Sequence, residues 1–136
     1  FRNIVGFRYF NVYGADENKD DYATSPIYRF SEQAKRTGVI NIYTGSQHTY
    51  RDFVCVEDVV SIITRNHKSG IYDLGTTKPI SFLDVAILVA DKYNAVVKFV
   101  PFPEVIKGKY QQYTQASDEN YNHNFMSVEQ WLLNNS

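Results

Sequence analysis

The sequence predicts an α/β protein. Apolar extended runs alternate with segments of helical period along the whole chain, and Gly, Asn or Thr turns follow most of the runs. Helix-start signals at Ser25-Pro26, at Ser81 and at Ser127 open three of the helical segments.

Ile4 to Phe10 is apolar and aromatic and reads as a largely buried strand, which Asn11-Val12-Tyr13-Gly14 then ends. Residues 15–23 are rich in Asp, Asn and Lys and form a loop. Ser25 caps a helix with Pro26 at its first position; it runs to about Arg36, with Ile27, Phe30 and Ala34 facing inward. Ile40 to Tyr43 is a short strand closed by Thr44-Gly45-Ser46. Arg51 to Val54 is extended, and the helix after it has Val56, Val59, Val60 and Ile63 at the spacing of one buried face. Gly70 to Leu74 is a strand closed by Gly75. Ser81-Phe82-Leu83-Asp84 resembles a capping box and opens a helix on Phe82, Val85, Ala86, Val89 and Tyr93. Val96 to Val100 is a strand that Pro101-Phe102-Pro103 breaks, and residues 104–116 form a polar, aromatic loop. Ser127-Val128-Glu129-Gln130 is a second capping box, opening a terminal helix on Val128, Trp131 and Leu132. No internal repeat or low-complexity tract interrupts the pattern.

A chain of 136 residues with 43% hydrophobic residues can bury a core without disulfides or metals. A net charge of −1 argues against a dedicated binder of nucleic acid or anionic membranes. No apolar run approaches the roughly 20 residues of a membrane span. The one cysteine, Cys55, lies between Val54 and Val56 and reads as a buried thiol in a reducing compartment. The chain begins Phe1-Arg2-Asn3-Ile4, without Met and nearly flush against a strand, and reads as cut from something longer.

Ligands of open α/β sheets bind beyond the carboxyl ends of the strands. The polar turns at Asn11 to Gly14, Thr44 to Ser46 and Gly75 to Thr77 stand there, although each could be a plain turn. Arg51 begins an apolar strand, where an unpaired charge is expensive. It either pairs with Asp52 or meets a ligand anion, a diphosphate suiting its forked donors. Tyr110, Gln112 and Tyr113 share a loop whose rings and amides suit a sugar or a base, or that packs on the core. The sequence holds no glycine-rich phosphate loop, no Walker motif and no metal-ligand spacing, and His48, His67 and His123 read as surface residues.

Arg8-Tyr9-Phe10-Asn11-Val12-Tyr13-Gly14, Arg51-Asp52-Phe53-Val54 with Glu57-Asp58-Val59, and Gly70-Ile71-Tyr72-Asp73-Leu74-Gly75 resemble extended short-chain dehydrogenase/reductases acting on nucleotide sugars. Val100-Pro101-Phe102-Pro103, Lys107-Gly108-Lys109-Tyr110-Gln111 and Thr114-Gln115-Ala116, taken with Tyr43-Thr44-Gly45-Ser46, narrow the resemblance to the ADP-L-glycero-D-manno-heptose epimerases of lipopolysaccharide precursor synthesis.

The resemblance implies the carboxyl-terminal portion of an NAD(P)-binding Rossmann-type fold. Residues 1–136 would hold the last strands of the dinucleotide-binding domain interleaved with the substrate-binding domain. It implies a cytoplasmic enzyme, a homo-oligomer when complete, with an ADP-heptose type of nucleotide sugar as its partner and neither nucleic acid nor membrane. NADP, or NAD, would be held mainly by an amino-terminal half, and the sugar would pass through a transient ketone and receive its hydride back on the other face. Asn11 would then contact substrate and Val12 the cofactor, Tyr43, Thr44, Gly45 and Ser46 would hold the ADP-sugar, Arg51 the diphosphate, and Tyr110 the substrate from its loop. Two positions depart from the family's pattern. The family's loop lysine, a second base, falls on Asp20, with Lys19 one residue earlier as the nearest residue of that type. The family's substrate-contacting histidine falls on Arg29. The Tyr-x-x-x-Lys helix and the glycine-rich loop do not occur in the sequence, so this chain alone is expected to be inactive.

Overall fold

A computed structural model describes residues 4–17, 24–102 and 112–135. The elements run β1 (Val5–Tyr9), β2 (Asn11–Tyr13), α1 (Pro26–Thr37), β3 (Val39–Tyr43), β4 (Tyr50–Arg51), β5 (Phe53–Cys55), α2 (Val56–Ile63), β6 (Gly70–Leu74), β7 (Ile80–Ser81), α3 (Phe82–Tyr93), β8 (Val96–Val100) and α4 (Val128–Asn134). A 3-10 turn at Ser46–His48 sits between β3 and β4. The class is α/β, with β1 parallel to β6, β2 to β5 and β3 to β8, and β4 antiparallel to β7.

The helices start where the sequence places their caps. The Ser25 hydroxyl accepts from Tyr28 N, Ser81 from Asp84 N, and Ser127 and Gln130 complete a reciprocal box. α1 buries Ile27, Phe30 and Ala34, and α4 buries Val128, Trp131 and Leu132, as their spacing predicts. Lys92 on α3 donates to the Leu132 and Asn135 carbonyls, tying α3 to the carboxyl end of α4.

The strand expected over Ile4 to Phe10 does not stop at Asn11. Phe10 N donates to Leu74 O at 3.1 Å and Asn11 N to Asp52 O at 3.0 Å, so the chain leaves β6 and takes β5 as its neighbour within one residue. Asn11–Tyr13 is thereby a strand and not the end of one. Three-residue β5 is buried on both sides. Phe53 and Cys55 point into the larger core with α1, α3 and α4, while Val54 joins Val59, Ile62 and Leu74 in a smaller one.

The predicted face of α2 is corrected. Asp58, Val59 and Ile62 are buried, whereas Val56, Val60 and Ile63 are exposed. The helix leaves β5 with no intervening loop, so the strand sets its rotation. Asp58 then turns inward to meet Cys55, His123 and the Met126 N–H. Two histidines also differ from the surface placement expected of them. His67 packs among the rings of Phe7, Tyr72 and Tyr121, and His123 Nε2 is hydrogen-bonded to Asp58 Oδ1 at 2.8 Å.

Exposed large apolar side chains include Ile4, Tyr9 and Ile71 on or beside β1 and β6, together with Val56, Val60 and Ile63 on α2. Apolar surface of this kind is a docking or association surface. The 136-residue chain is therefore expected to self-associate, its sedimentation coefficient rising with concentration; a strictly monomeric sample across that range would refute this. Among the described residues no helix is long and apolar enough to cross a membrane, and no cluster of His, Cys, Asp and Glu could hold a metal ion.

Candidate functional site

Two-residue β4 organises the site. On one side Tyr50 and Arg51 pair with Ser81 and Ile80 of β7. On the other, Tyr50 N donates to Gln112 O at 2.7 Å and Thr114 N donates back to Tyr50 O at 3.2 Å. The segment at 112–114 is thus laid beside β4 as a short parallel bridge. It brings Gln112 to the carboxyl end of β3, which the intervening sequence gives no hint of.

There a pocket of about 150 Å³ is lined by Tyr43, Thr44, Gly45, Ser46, Thr49, Phe82, Phe102 and Gln112. The strip expected to hold a nucleotide sugar is one wall of it. Gly45 turns the chain at φ 98°, a left-handed conformation that glycine adopts without cost. The Ser46 hydroxyl donates to Tyr43 O at 2.6 Å and Thr44 N donates to Val100 O at 2.8 Å, so the turn is held rigidly to the ends of β3 and β8. Phe102 meets Tyr43 edge-on at 5.3 Å. The Arg51 guanidinium lies 5.5 Å from the centroid of Phe82, a wall residue, while Nη1 donates to Tyr50 O at 2.8 Å. The structure therefore gathers Tyr43 to Ser46 around one cavity and places Arg51 behind its Phe82 wall. Aromatic walls, a polar strip and a guanidinium beside them suit a planar base followed by a phosphate.

Asn11 and Val12 on β2 and Arg29, exposed on α1, do not line this pocket. Val12 packs on the smaller core instead, and Asn11 is engaged through its backbone. Lys19 and Tyr110 fall outside the described residues.

Asp52, the other candidate partner of Arg51, has a separate task. It is fully buried, and its Oδ1 accepts from Thr76 N at 2.7 Å and Thr76 Oγ1 at 2.7 Å, its Oδ2 from Thr77 N at 2.9 Å and Ala116 N at 3.0 Å. This one carboxylate clamps the turn after β6 to the segment carrying Gln112. A Cβ on Gly75 would lie 2.8 Å from both Asp52 Oδ2 and the Ala116 Cβ, so only glycine fits there.

Other carboxylates also hold loops. Glu17 is buried and accepts from Gly14 N, Ser25 N and the Ser25 hydroxyl, at 3.1, 2.8 and 2.6 Å, closing the 14–25 loop at its base. Asp73 accepts from Ser117 N and from Arg8 at 2.7 Å, and these hold its carboxyl below the usual carboxylate range, the Ser117 N–H contributing most. Sequence reasoning missed these roles because every partner but those of Glu17 is far away along the chain. Cys55 matches expectation: it is buried, donates to Asp58 at 3.2 Å, and burial pushes its thiol up to about 12. Since the thiolate is the nucleophile, alkylation by iodoacetamide near pH 8 should be on the order of a thousandfold slower than for a free thiol until the chain is unfolded. Rapid labelling of folded protein would contradict this.

A larger cavity of about 820 Å³ lies between the Gly75 to Lys78 turn and the 117–128 segment. The polar turn Gly75 to Thr77 and His123 line it, but none of the predicted substrate or cofactor contacts does.

A family model described as NAD dependent epimerase/dehydratase family matches residues 2–75. The chain is 38% identical over 118 residues to an ADP-L-glycero-D-manno-heptose-6-epimerase of Brachyspira hyodysenteriae, covering 83% of this chain and 37% of that protein. It is 37% identical over 123 residues to the enzyme of that name from Alkalilimnicola ehrlichii, covering 83% and 38%. It spans, then, little more than a third of the length of these relatives. The fold resembles the Helicobacter pylori ADP-L-glycero-D-manno-heptose-6-epimerase, with TM-score 0.79 at 23% identity over 96% of this chain and 42% of that one. It also resembles the Thermotoga maritima UDP-glucose 4-epimerase, with TM-score 0.76 at 19% identity over 94% and 43%.

Proposed function

The chain belongs to the NAD dependent epimerase/dehydratase family, and from that premise we propose that it forms the substrate-binding part of a nucleotide-sugar epimerase acting at C6 of an ADP-heptose. One observation carries the reading: the Tyr43 to Ser46 turn lines an aromatic-walled pocket at the carboxyl end of β3, and the Arg51 guanidinium lies 5.5 Å from the ring of Phe82, one of its walls. The strip would hold the nucleoside, and Arg51 would meet the diphosphate with paired donors. The names of the two curated relatives supply the sugar.

Asn11, Arg29 and Tyr110 are the remaining substrate contacts in this reading, and Val12 the cofactor contact. Lys19 is its second base. Glu17, the buried acid of the same loop, has its oxygens engaged by Gly14 and Ser25, which favours Lys19 over it for proton transfer. A lysine serves as a base only with a lowered pKa, and closure of the loop over substrate could provide the necessary burial.

The residues described here do not fit a dinucleotide by themselves. At the end of β6, the Thr76 and Thr77 N–H groups that could cradle a phosphate are already given to Asp52. The sequence has no glycine-rich turn to replace them. The reading therefore assigns NADP, or NAD, to the remainder of a complete enzyme, together with a cytoplasmic setting, a homo-oligomer and lipopolysaccharide precursor synthesis.

The test is residue-by-residue NMR of the 136-residue chain titrated with ADP and ADP-sugars at millimolar concentration. Shifts should concentrate at Tyr43 to Ser46, Arg51 and Phe82, with no epimerisation by this chain alone. Saturating nucleotide that leaves these signals in place would overturn the reading.

A further inference from the structure

From Ser117 to Ser127 the chain forms neither helix nor strand, and side chains hold it to the body of the fold. Arg65, just past α2, supplies two of these ties from one guanidinium. Nη1 donates to Tyr121 O at 2.8 Å, and Nη2 lies 2.8 Å from Nδ1 of His123. Across the imidazole, Nε2 lies 2.8 Å from Asp58 Oδ1, while Asp58 Oδ2 accepts from Met126 N at 2.8 Å and from Cys55 at 3.2 Å. The Tyr121 hydroxyl, donating to Asp73 O at 2.6 Å, is a further tie that does not involve Arg65. The segment so held is one wall of the cavity of about 820 Å³, and His123 is part of that wall.

An arginine has N–H donors, no acceptor and a permanent charge. Its contact with Nδ1 is a hydrogen bond only if that nitrogen carries no proton. The imidazole is then neutral, with its one proton on Nε2, where the Asp58 carboxylate accepts it. Both neighbours thus select the same tautomer. A second proton has to enter at Nδ1, in the place that Arg65 fills, and it sets a new positive charge against the guanidinium. Asp58 does not oppose that step, because Nε2 donates to it from imidazolium and imidazole alike. Cys55 on β5 and Tyr13 on β2 keep their protons, since burial raises both, and Glu57 of α2 is turned to Trp131 Nε1 at 2.8 Å. Phe125 meets the imidazole edge-on at 4.8 Å and brings no charge. Arg65 is exposed and has water to move into.

We propose that His123 and Arg65 form a proton-operated latch on this wall: neutral His123 holds Arg65 in place, and a proton on Nδ1 expels it and releases the Tyr121 carbonyl. Both Arg65 ties are present while His123 is neutral and are lost together as pH falls through its titration. The Asp58 contacts and the Tyr121 hydroxyl remain in either state. Acid therefore loosens the middle of the segment while Ser117 and Met126 stay fixed.

NMR of the 136-residue chain between about pH 8 and pH 5.5, where histidines ordinarily change charge, tests it. At the upper end the His123 ring nitrogens should report one tautomer, with the proton on Nε2. On acidification Nδ1 should gain a proton, and the amides of residues 119–124 should shift and gain motion with the same midpoint. His67, whose ring meets that of Tyr121 at 6.0 Å, also titrates, so variants must separate the two. Neither His123→Asn, whose amide oxygen can replace Nδ1 toward Arg65, nor His123→Gln, whose amide nitrogen can replace Nε2 toward Asp58, takes up a proton. The pH response of these amides should vanish in both. Arg65→Met, at an exposed position, should leave the segment loosened even at the upper end and let His123 take its proton at higher pH. A proton on Nδ1 at the upper end, a His123 that stays neutral throughout, or a response that persists in the His123 variants would each overturn the latch.

Discussion

Asp52→Ala is expected to destabilise the fold by about 3–5 kcal/mol, read as a lowered urea midpoint of the fluorescence of Trp131, the one tryptophan. Asp52 accepts four hydrogen bonds, three of them from backbone N–H groups of Thr76, Thr77 and Ala116. Alanine strands those donors, and each buried unsatisfied donor costs about 1–3 kcal/mol. Asp52→Asn should recover little of the loss. The amide group of asparagine must face either the Thr76 N–H or the N–H groups of both Thr77 and Ala116, and only the Thr76 hydroxyl can turn to accept from it. A loss under about 1 kcal/mol for either variant would mean that water replaces the carboxylate and that the clamp is dispensable.

Arg51→Ala should weaken binding of a nucleoside diphosphate by about 1.5–3 kcal/mol, roughly ten- to a hundredfold or more in Kd. The guanidinium lies over the ring of Phe82, a wall of the pocket that the Tyr43 to Ser46 turn lines, with Nη1 donating to the Tyr50 carbonyl. A planar fork binds a diphosphate through paired donors, so Arg51→Lys should keep the charge and still lose part of the affinity. Because Asp52 has its own four donors, Arg51→Ala should shift the urea midpoint far less than Asp52→Ala does. An unchanged Kd with a large drop in stability would make Arg51 a structural residue and remove the diphosphate from this site.

Features written in local sequence were legible. The serine caps of α1, α3 and α4 and the inward residues of α1 and α4 follow from spacing over one or two turns. The strand over Gly70–Leu74 is bounded by its glycines as expected. The strip at Tyr43 to Ser46 could be named because it follows a strand. The failures share a cause, which is that a distant partner decided the outcome. Asn11 becomes a strand residue because Asp52 offers a carbonyl at the point where Leu74 gives out. The apolar residues Val56, Val60 and Ile63 satisfy a helical period as well as Val59 and Ile62 do, and only the contacts of Asp58 with His123 and Met126 fix which set turns inward. Asp52 next to Arg51 looks like half of an ion pair, yet its partners lie 24, 25 and 64 residues further on.

Those separations also set an order of events during folding. The contact from Asp52 to the Thr76 and Thr77 amides closes a modest loop, whereas the one to Ala116 closes a loop of 64 residues and carries the greater entropic delay. The turn after β6 can therefore settle first, with the segment carrying Gln112, Thr114 and Ala116 docking later. Until it does, Tyr50 presents an unpaired amide and carbonyl at the edge of β4, and the pocket has only three of its sides. Native-state hydrogen exchange would register the two stages as stronger protection at Thr76 than at Ala116. Ligand-binding competence would then be gained last, when that segment docks.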